Sequence, residues 1–272
     1  MEAIALYRKA ADQGLAQSQT SLALLYARGQ GVARNYPEAA ALYRRAAEQG
    51  LAQAQNNLSL MYAKGQGVAQ DYAQAAFWAR KAAEQGDAHG QYSLGALYGS
   101  GRGVEKSPAL AAEWARKAAT QGLADAQYFL CINYANGIGV PKDHAQAAEW
   151  ARKAANQGHS GGQFFLGALY ANGIGVRLDY LQALSWSRKA AGQGHPGAQF
   201  NLGWAYEVGH GVRQDHPQAL AWYRKSAEQR FALAESRLGV MYDEGSGVPR
   251  DPVQAAIWHR RATAHGYTPS DR

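Results

Sequence analysis

Seven glycine pairs are the residues most open to a chemical reading. Gly-x-Gly-Val stands at 29–32, 65–68, 101–104, 137–140, 173–176, 209–212 and 245–248. Such glycines cradle phosphates or dinucleotides when a strand precedes them and a helix follows. Here helical periodicity precedes each pair, so the pattern marks a turn between two helices instead. Eight histidines follow: His89, His144, His159, His195, His210, His216, His259 and His265. None has the i, i+4 partner or the His–Cys spacing of a metal site. His159 and His195 lie 36 residues apart and are expected as a surface pair. Cys131 is the single cysteine, so no intrachain disulfide is available. It shares a column with Gly95, Gly167, Gly203 and Gly239, which suits a small packed residue better than a nucleophile. No Ser/His/Asp set or matched carboxylate pair stands apart from the repeating framework. The expectation is a non-enzyme with no catalytic residues, no metal and no cofactor.

The net charge of +7 raises nucleic acid as a partner. Eight Arg/Lys pairs, from Arg8–Lys9 to Arg260–Arg261, account for more than half of the 28 basic residues. They recur once per repeat, in the last turns of a helix, where cations favour the negative end of the dipole. A nucleic-acid surface would cluster its cations with aromatics on one face. Nucleic acid is therefore excluded, and the pairs are expected as solvated helix ends. No run of 18 apolar residues is present, so no membrane span is expected.

The elements that carry these residues repeat every 36 positions, without an insertion. Tyr26, Tyr62, Tyr98, Tyr134, Tyr170, Tyr206 and Tyr242 each stand three residues before a glycine pair. Trp78, Trp114, Trp150, Trp186, Trp222 and Trp258 form a second column, with Leu42 in its first place. A fixed period of this length signals stacked supersecondary units. Each unit reads as two helices. In 51–64, Ala54, Leu58, Met61 and Tyr62 form one stripe, which Gly65 ends. Asp71 caps the next helix, and Ala75, Trp78, Ala82 and Ala83 form its buried stripe. Ser107 and Leu110 replace the usual Asp and Gln, and Arg230 replaces a terminal Gly, where a frayed or kinked end is expected. The reading is one domain over 1–272: a half-repeat at 1–14, repeats at 15–50, 51–86, 87–122, 123–158, 159–194, 195–230 and 231–266, and a tail at 267–272.

The pattern A-Q-x-x-L-G-x-x-Y-x-x-G-x-G-V-x-x-D-x-x-x-A-x-x-W-x-R-K-A-A-x-Q-G resembles the Sel-1-like repeat, a relative of the tetratricopeptide repeat, over essentially the whole chain. The resemblance implies an all-α, right-handed α/α superhelical solenoid used as a protein-binding scaffold or adaptor. Members act in bacterial envelope assembly, signalling, host interaction and toxin neutralisation, and in eukaryotic membrane-protein degradation. A secreted effector or toxin is thus one expected partner class, with the chain as its immunity protein. A cell-wall-associated enzyme and a structural spacer are the competing readings. Exported bacterial relatives imply the periplasm, with the cytoplasm as the alternative. Met1 aligns with Pro37, so the first helix of its pair is missing. Upstream repeats or a leader are expected, and the exposed N-terminal helix could mediate self-association.

Positions not consumed by stacking carry the functional expectation. By analogy with related solenoids, the first helices line a concave groove through columns 53, 56, 57, 60 and 64. Column 56 supplies Tyr92, Tyr128, Phe164 and Phe200; column 57 supplies Phe129 and Phe165; column 60 supplies Ile132 and Trp204. Aromatics in column 56 are common in the family and also serve packing. Phe129, Phe165 and Trp204 depart from its usual small or polar choices and are expected as anchors. The rim runs from Arg28 and Lys64 through Asn136 and Asn172 to Asp243 and Glu244. Asn136 and Asn172 are expected to bond the backbone of an extended peptide.

Overall fold

A computed structural model describes residues 2–268, with side chains from residue 4. All regular structure among them is helical. In chain order the helices are α1 (Glu2–Asp12), α2 (Ala16–Arg28), α3 (Tyr36–Glu48), α4 (Ala52–Lys64), α5 (Tyr72–Glu84), α6 (Ala88–Ser100), α7 (Pro108–Thr120) and α8 (Ala124–Asn136). They continue with α9 (His144–Asn156), α10 (Ser160–Asn172), α11 (Tyr180–Gly192), α12 (Pro196–Val208), α13 (His216–Glu228), α14 (Ala232–Glu244) and α15 (Pro252–Ala264). Even numbers are the first helices of each repeat and odd numbers the second. The all-α repeat fold is therefore the one expected from the period. The chain divides into two compact units, one ending at Lys142 and one beginning at Asp143.

Local chemistry sets each boundary. Asp71 Oδ1 accepts from the amides of Ala73 and Gln74 at 2.9 and 3.0 Å, satisfying two donors at the start of α5. Asp143 and Asp251 cap in the same way, and Asp179 and Asp215 accept from one amide each, Gln182 N and Gln218 N. Ser107 also caps: its hydroxyl accepts from Leu110 N at 3.3 Å, so that substitution keeps the helix start. At the other joint, Gly65 turns α4 off with φ 65°. Gly67, at φ 72°, has a second task. A Cβ there would collide with the Tyr36 carbonyl at the start of α3. Its bare backbone thus lets each turn press on the preceding repeat.

Arg230 corrects the expectation of a frayed or kinked end. It takes φ 61° at the place of the usual glycine, and α13 still runs to Glu228. Its amide donates to Ala227 O at 2.9 Å, as Gly122 donates to Ala119 O at 3.0 Å. A β-carbon in this region strains the backbone by about 1–2 kcal/mol, which the surrounding packing holds in place.

Within each unit the hairpins stack on a leucine at 36-residue spacing. Leu58, Leu94, Leu130, Leu166, Leu202 and Leu238 are fully buried, each stabilising its joint by about 1.5–3 kcal/mol. Alanines such as Ala75, Ala79, Ala82 and Ala83 face them and permit close helix approach. Trp78, expected in that stripe, is only half-buried. A glutamine ladder ties the layers together. Gln55 Nε2 donates to Ala47 O at 3.1 Å, and Gln85 Nε2 donates to Gln55 Oε1 at 2.7 Å. The pairing recurs at Gln49/Gln19, Gln121/Gln91, Gln193/Gln163 and Gln229/Gln199. In the last repeat it becomes His265/Glu235, where His265 Nδ1 lies 2.7 Å from a fully buried carboxylate.

Candidate functional site

The first helices of the second unit build two adjoining clefts. One, of about 530 Å³, lies between α10 and α12 over the start of α11. Phe164, Ala168 and Asn172 form one wall, Phe200 and Trp204 the other, and Leu184 lies between. The second cleft, of about 550 Å³, lies between α12 and α14. Arg237, Val240, Asp243 and Glu244 form its far side. Phe200, Trp204 and Leu233 belong to both. Trp204 is 42% exposed and Leu233 38%, an open apolar ridge between two depressions.

Packing fixes this ridge. Arg237 lies over the Trp204 ring, its guanidinium carbon 5.3 Å from the centroid. Arg237 is in turn held by Glu207, whose other oxygen accepts from Tyr223 OH at 2.5 Å. Burial, then the bond to Glu207, pushes the Tyr223 phenol well above its usual range, so it stays a donor. Gly203 makes room for Tyr223, since a Cβ would sit 2.6 Å from the ring. Glu207 therefore serves internally, whereas Asp243 and Glu244 remain exposed at the rim.

The column-56 residues divide their surface between packing and the clefts. Phe164 stacks on His195 at 4.5 Å and 21°, and Phe200 tilts against Tyr223 and Phe231 at 5.5 and 5.6 Å. In the first unit Tyr92 meets Phe129 edge-on at 6.3 Å. Tyr92 also lines a cleft of about 550 Å³ with Asn56, Leu60, Lys64, Tyr72 and Arg102. That cleft occupies the same place in the repeat as the one at Phe164; it too is mostly apolar, with Lys64 and Arg102 at its walls. Tyr128, Ile132 and Phe165 are half-buried. Asn136 and Asn172 are exposed, and each Nδ2 donates to its own helix, at Ile132 O (2.9 Å) and Ala168 O (2.8 Å). The structure thus gathers Phe164, Asn172, Phe200 and Trp204 in one unit, and Tyr92 with Phe129 in the other.

Several roles were not evident from the sequence. The basic pairs do not simply point into water. Arg80 donates to Tyr98 OH at 2.8 Å, and the same bond joins Arg8 to Tyr26, Arg44 to Tyr62, Arg116 to Tyr134 and Arg224 to Tyr242. Lys117, Lys153, Lys189 and Lys225 sit 3.9–4.3 Å over Trp114, Trp150, Trp186 and Trp222. His159 and His195 are helix caps. Their Nδ1 atoms accept from Gly162 N at 3.0 Å and Ala198 N at 3.3 Å. The column spacing of 18 between Arg and Tyr carried the first signal. Leu233 was also visible as the one large apolar residue in column 53, beside Gln17, Gln53, His89, Asp125, Gly161 and Gly197.

Among the described residues, no three His, Cys, Asp or Glu side chains come together as a metal site. Cys131 is fully buried, and burial pushes its thiol up to about 12, away from thiolate chemistry. What the clefts offer is apolar surface beside a carboxylate rim.

The model of the Sel1 repeat matches residues 1–15, 16–51, 52–87, 88–123, 124–159, 160–195, 196–231 and 232–267. The chain belongs to the Sel1 repeat family. Sel1 repeats mediate protein–protein interaction. Among solved structures, the c5321 protective antigen of uropathogenic Escherichia coli is 40% identical, with a TM-score of 0.84 over 96% of this chain. The chain spans 56% of that protein's length. A Sel1 repeat protein from Oxalobacter formigenes is 38% identical, with a TM-score of 0.74 over 99% of this chain and 78% of its own. The immunity protein Pa5087 of Pseudomonas aeruginosa is 22% identical, with a TM-score of 0.49 over 79% of this chain and 81% of its own, a likeness too slight to carry an argument. No curated protein matches the chain. Among the described residues, no Sel1 helix is long and apolar enough to cross a membrane.

Proposed function

We propose that this Sel1 repeat chain is a non-catalytic scaffold that grips a segment of a partner protein on its first-helix face. The observation that carries the reading is Trp204. Five of the six column tryptophans lie under a cation on the outer helices. Trp204 also carries a cation, Arg237, but stands on the first-helix face, 42% exposed, in the wall shared by two clefts. A large aromatic held open beside Leu233 is the usual form of a binding anchor. Phe164 and Phe200 extend its apolar surface, and Tyr92 with Phe129 supplies a second aromatic site in the first unit.

The test is affinity capture from the native host with three baits: the wild-type chain, Trp204→Ala/Leu233→Ser, and Ala221→Ser on an exposed outer position. Circular dichroism confirms equal helicity. The proposal expects one partner to be held by the first and third baits and lost by the second. Equal recovery by all three would remove the first-helix face from the interaction.

A further inference from the structure

The two clefts of the second unit differ in chemistry, and the difference specifies an occupant. The cleft at Phe164 is mostly apolar, with Asn172, Asn201 and His210 among its lining, and is closed by the Trp204–Leu233 ridge. Across that ridge, the second cleft opens towards Asp243 and Glu244. The charges there are unevenly matched. Arg237 is already paired with Glu207 and laid on Trp204. Asp243 has His259 Nε2 at 2.9 Å. The Glu244 carboxylate accepts only from the Ser246 hydroxyl, at 3.4 Å, among the described residues. In a chain with a net charge of +7, this is a local anionic rim beside an apolar socket.

We infer that the two clefts together take an extended peptide whose apolar or aromatic side chain enters the first and whose Lys or Arg reaches Asp243 and Glu244 in the second. The inference rests on the binding role proposed above. The clefts are one repeat apart, and each straddles a pair of neighbouring first helices. An extended chain advances about 3.3 Å per residue. Alternate side chains share a face, so the basic residue stands about two or four positions from the apolar one. Neutralising the rim favours the right partner electrostatically, and the socket holds it by burial.

The experiment is a random dodecapeptide library displayed on phage and panned against the full chain, with sequencing before and after. Parallel selections use Trp204→Ala/Leu233→Ser and Asp243→Lys/Glu244→Lys. The expected result on the wild type is enrichment of Phe, Trp or Leu with Lys or Arg a fixed two or four positions away. On the charge-reversed variant the same apolar residue should be enriched with Asp or Glu, and a wild-type-selected peptide should bind at least about tenfold more weakly. Apolar enrichment without a charge preference that reverses, or with a basic residue at no fixed distance, overturns this inference and leaves the scaffold reading standing. No enrichment on the wild type, or equal enrichment on Trp204→Ala/Leu233→Ser, overturns both.

Discussion

The Glu235/His265 pair replaces a glutamine pair, and the replacement predicts a specific pattern of stability. Glu235 is fully buried, with His265 Nδ1 at 2.7 Å and Arg261 Nε at 3.2 Å. At Gln199/Gln229, one repeat earlier, the neutral version closes at 2.8 Å in the same place. His265→Ala removes one of two hydrogen bonds to a buried carboxylate. Bonds to charged groups contribute about 1.5–3 kcal/mol, and Arg261 remains as counter-charge, so the loss should be about 2 kcal/mol. Glu235→Gln/His265→Gln recreates the neutral pair. Desolvation offsets much of the Coulomb gain of a buried ion pair, so the double variant should lie within about 0.5 kcal/mol of wild type. Arg261, 43% exposed, then turns to solvent. Repeat arrays open locally, so amide hydrogen exchange in α14 and α15 is the appropriate assay. It should accelerate about 30-fold in His265→Ala and less than about threefold in the double variant. A double variant as fast as His265→Ala would refute the equivalence of the two pairs. A change under about twofold in His265→Ala would refute the contribution of the bond itself.

Two further outcomes follow from backbone and cap geometry. Arg230→Gly should raise stability by about 1 kcal/mol, read as a higher urea midpoint with unchanged slope, because it relieves a left-handed backbone at φ 61° without removing a buried contact. Burial holds the His195 imidazole below its ordinary pKa of 6.5, outweighing its own backbone hydrogen bond, and its Nδ1 must be unprotonated to accept from Ala198 N. Its contribution of about 1 kcal/mol is therefore complete above 6.5 and is lost as pH falls through the folded-state value. The melting temperature should drop between pH 7 and 5, and by less in His195→Asn, a cap that does not titrate.

How much of this was legible in the sequence depends on how local each cause is. Turns and caps were readable because single residues set them: Gly65 ends α4 through its own φ, and Asp71 starts α5 through its own carboxylate. Ser107 confirms the principle, since another short acceptor does the same work. The layer-to-layer bonds were not readable in this way. A glutamine at 55 has no meaning until stacking brings Ala47 and Gln85 to it, and the same holds for Arg80 with Tyr98. Once the period is known, though, such bonds become columns at fixed offsets of 30 or 18, and a coordinated exchange such as Glu235 with His265 identifies the contact. The aromatic positions resist that logic. Phe164 and Trp204 look alike in a pattern of apolar residues, yet one stacks on His195 and the other stands open. What separates them is a neighbour rather than their own type. A Cβ at Gly197 would sit 2.9 Å from the Phe164 ring, so glycine there lets that ring settle inward. Arg237 covers only one side of Trp204, and Leu233 extends the exposed surface. A binding anchor in such an array is therefore defined by what its column neighbours fail to cover.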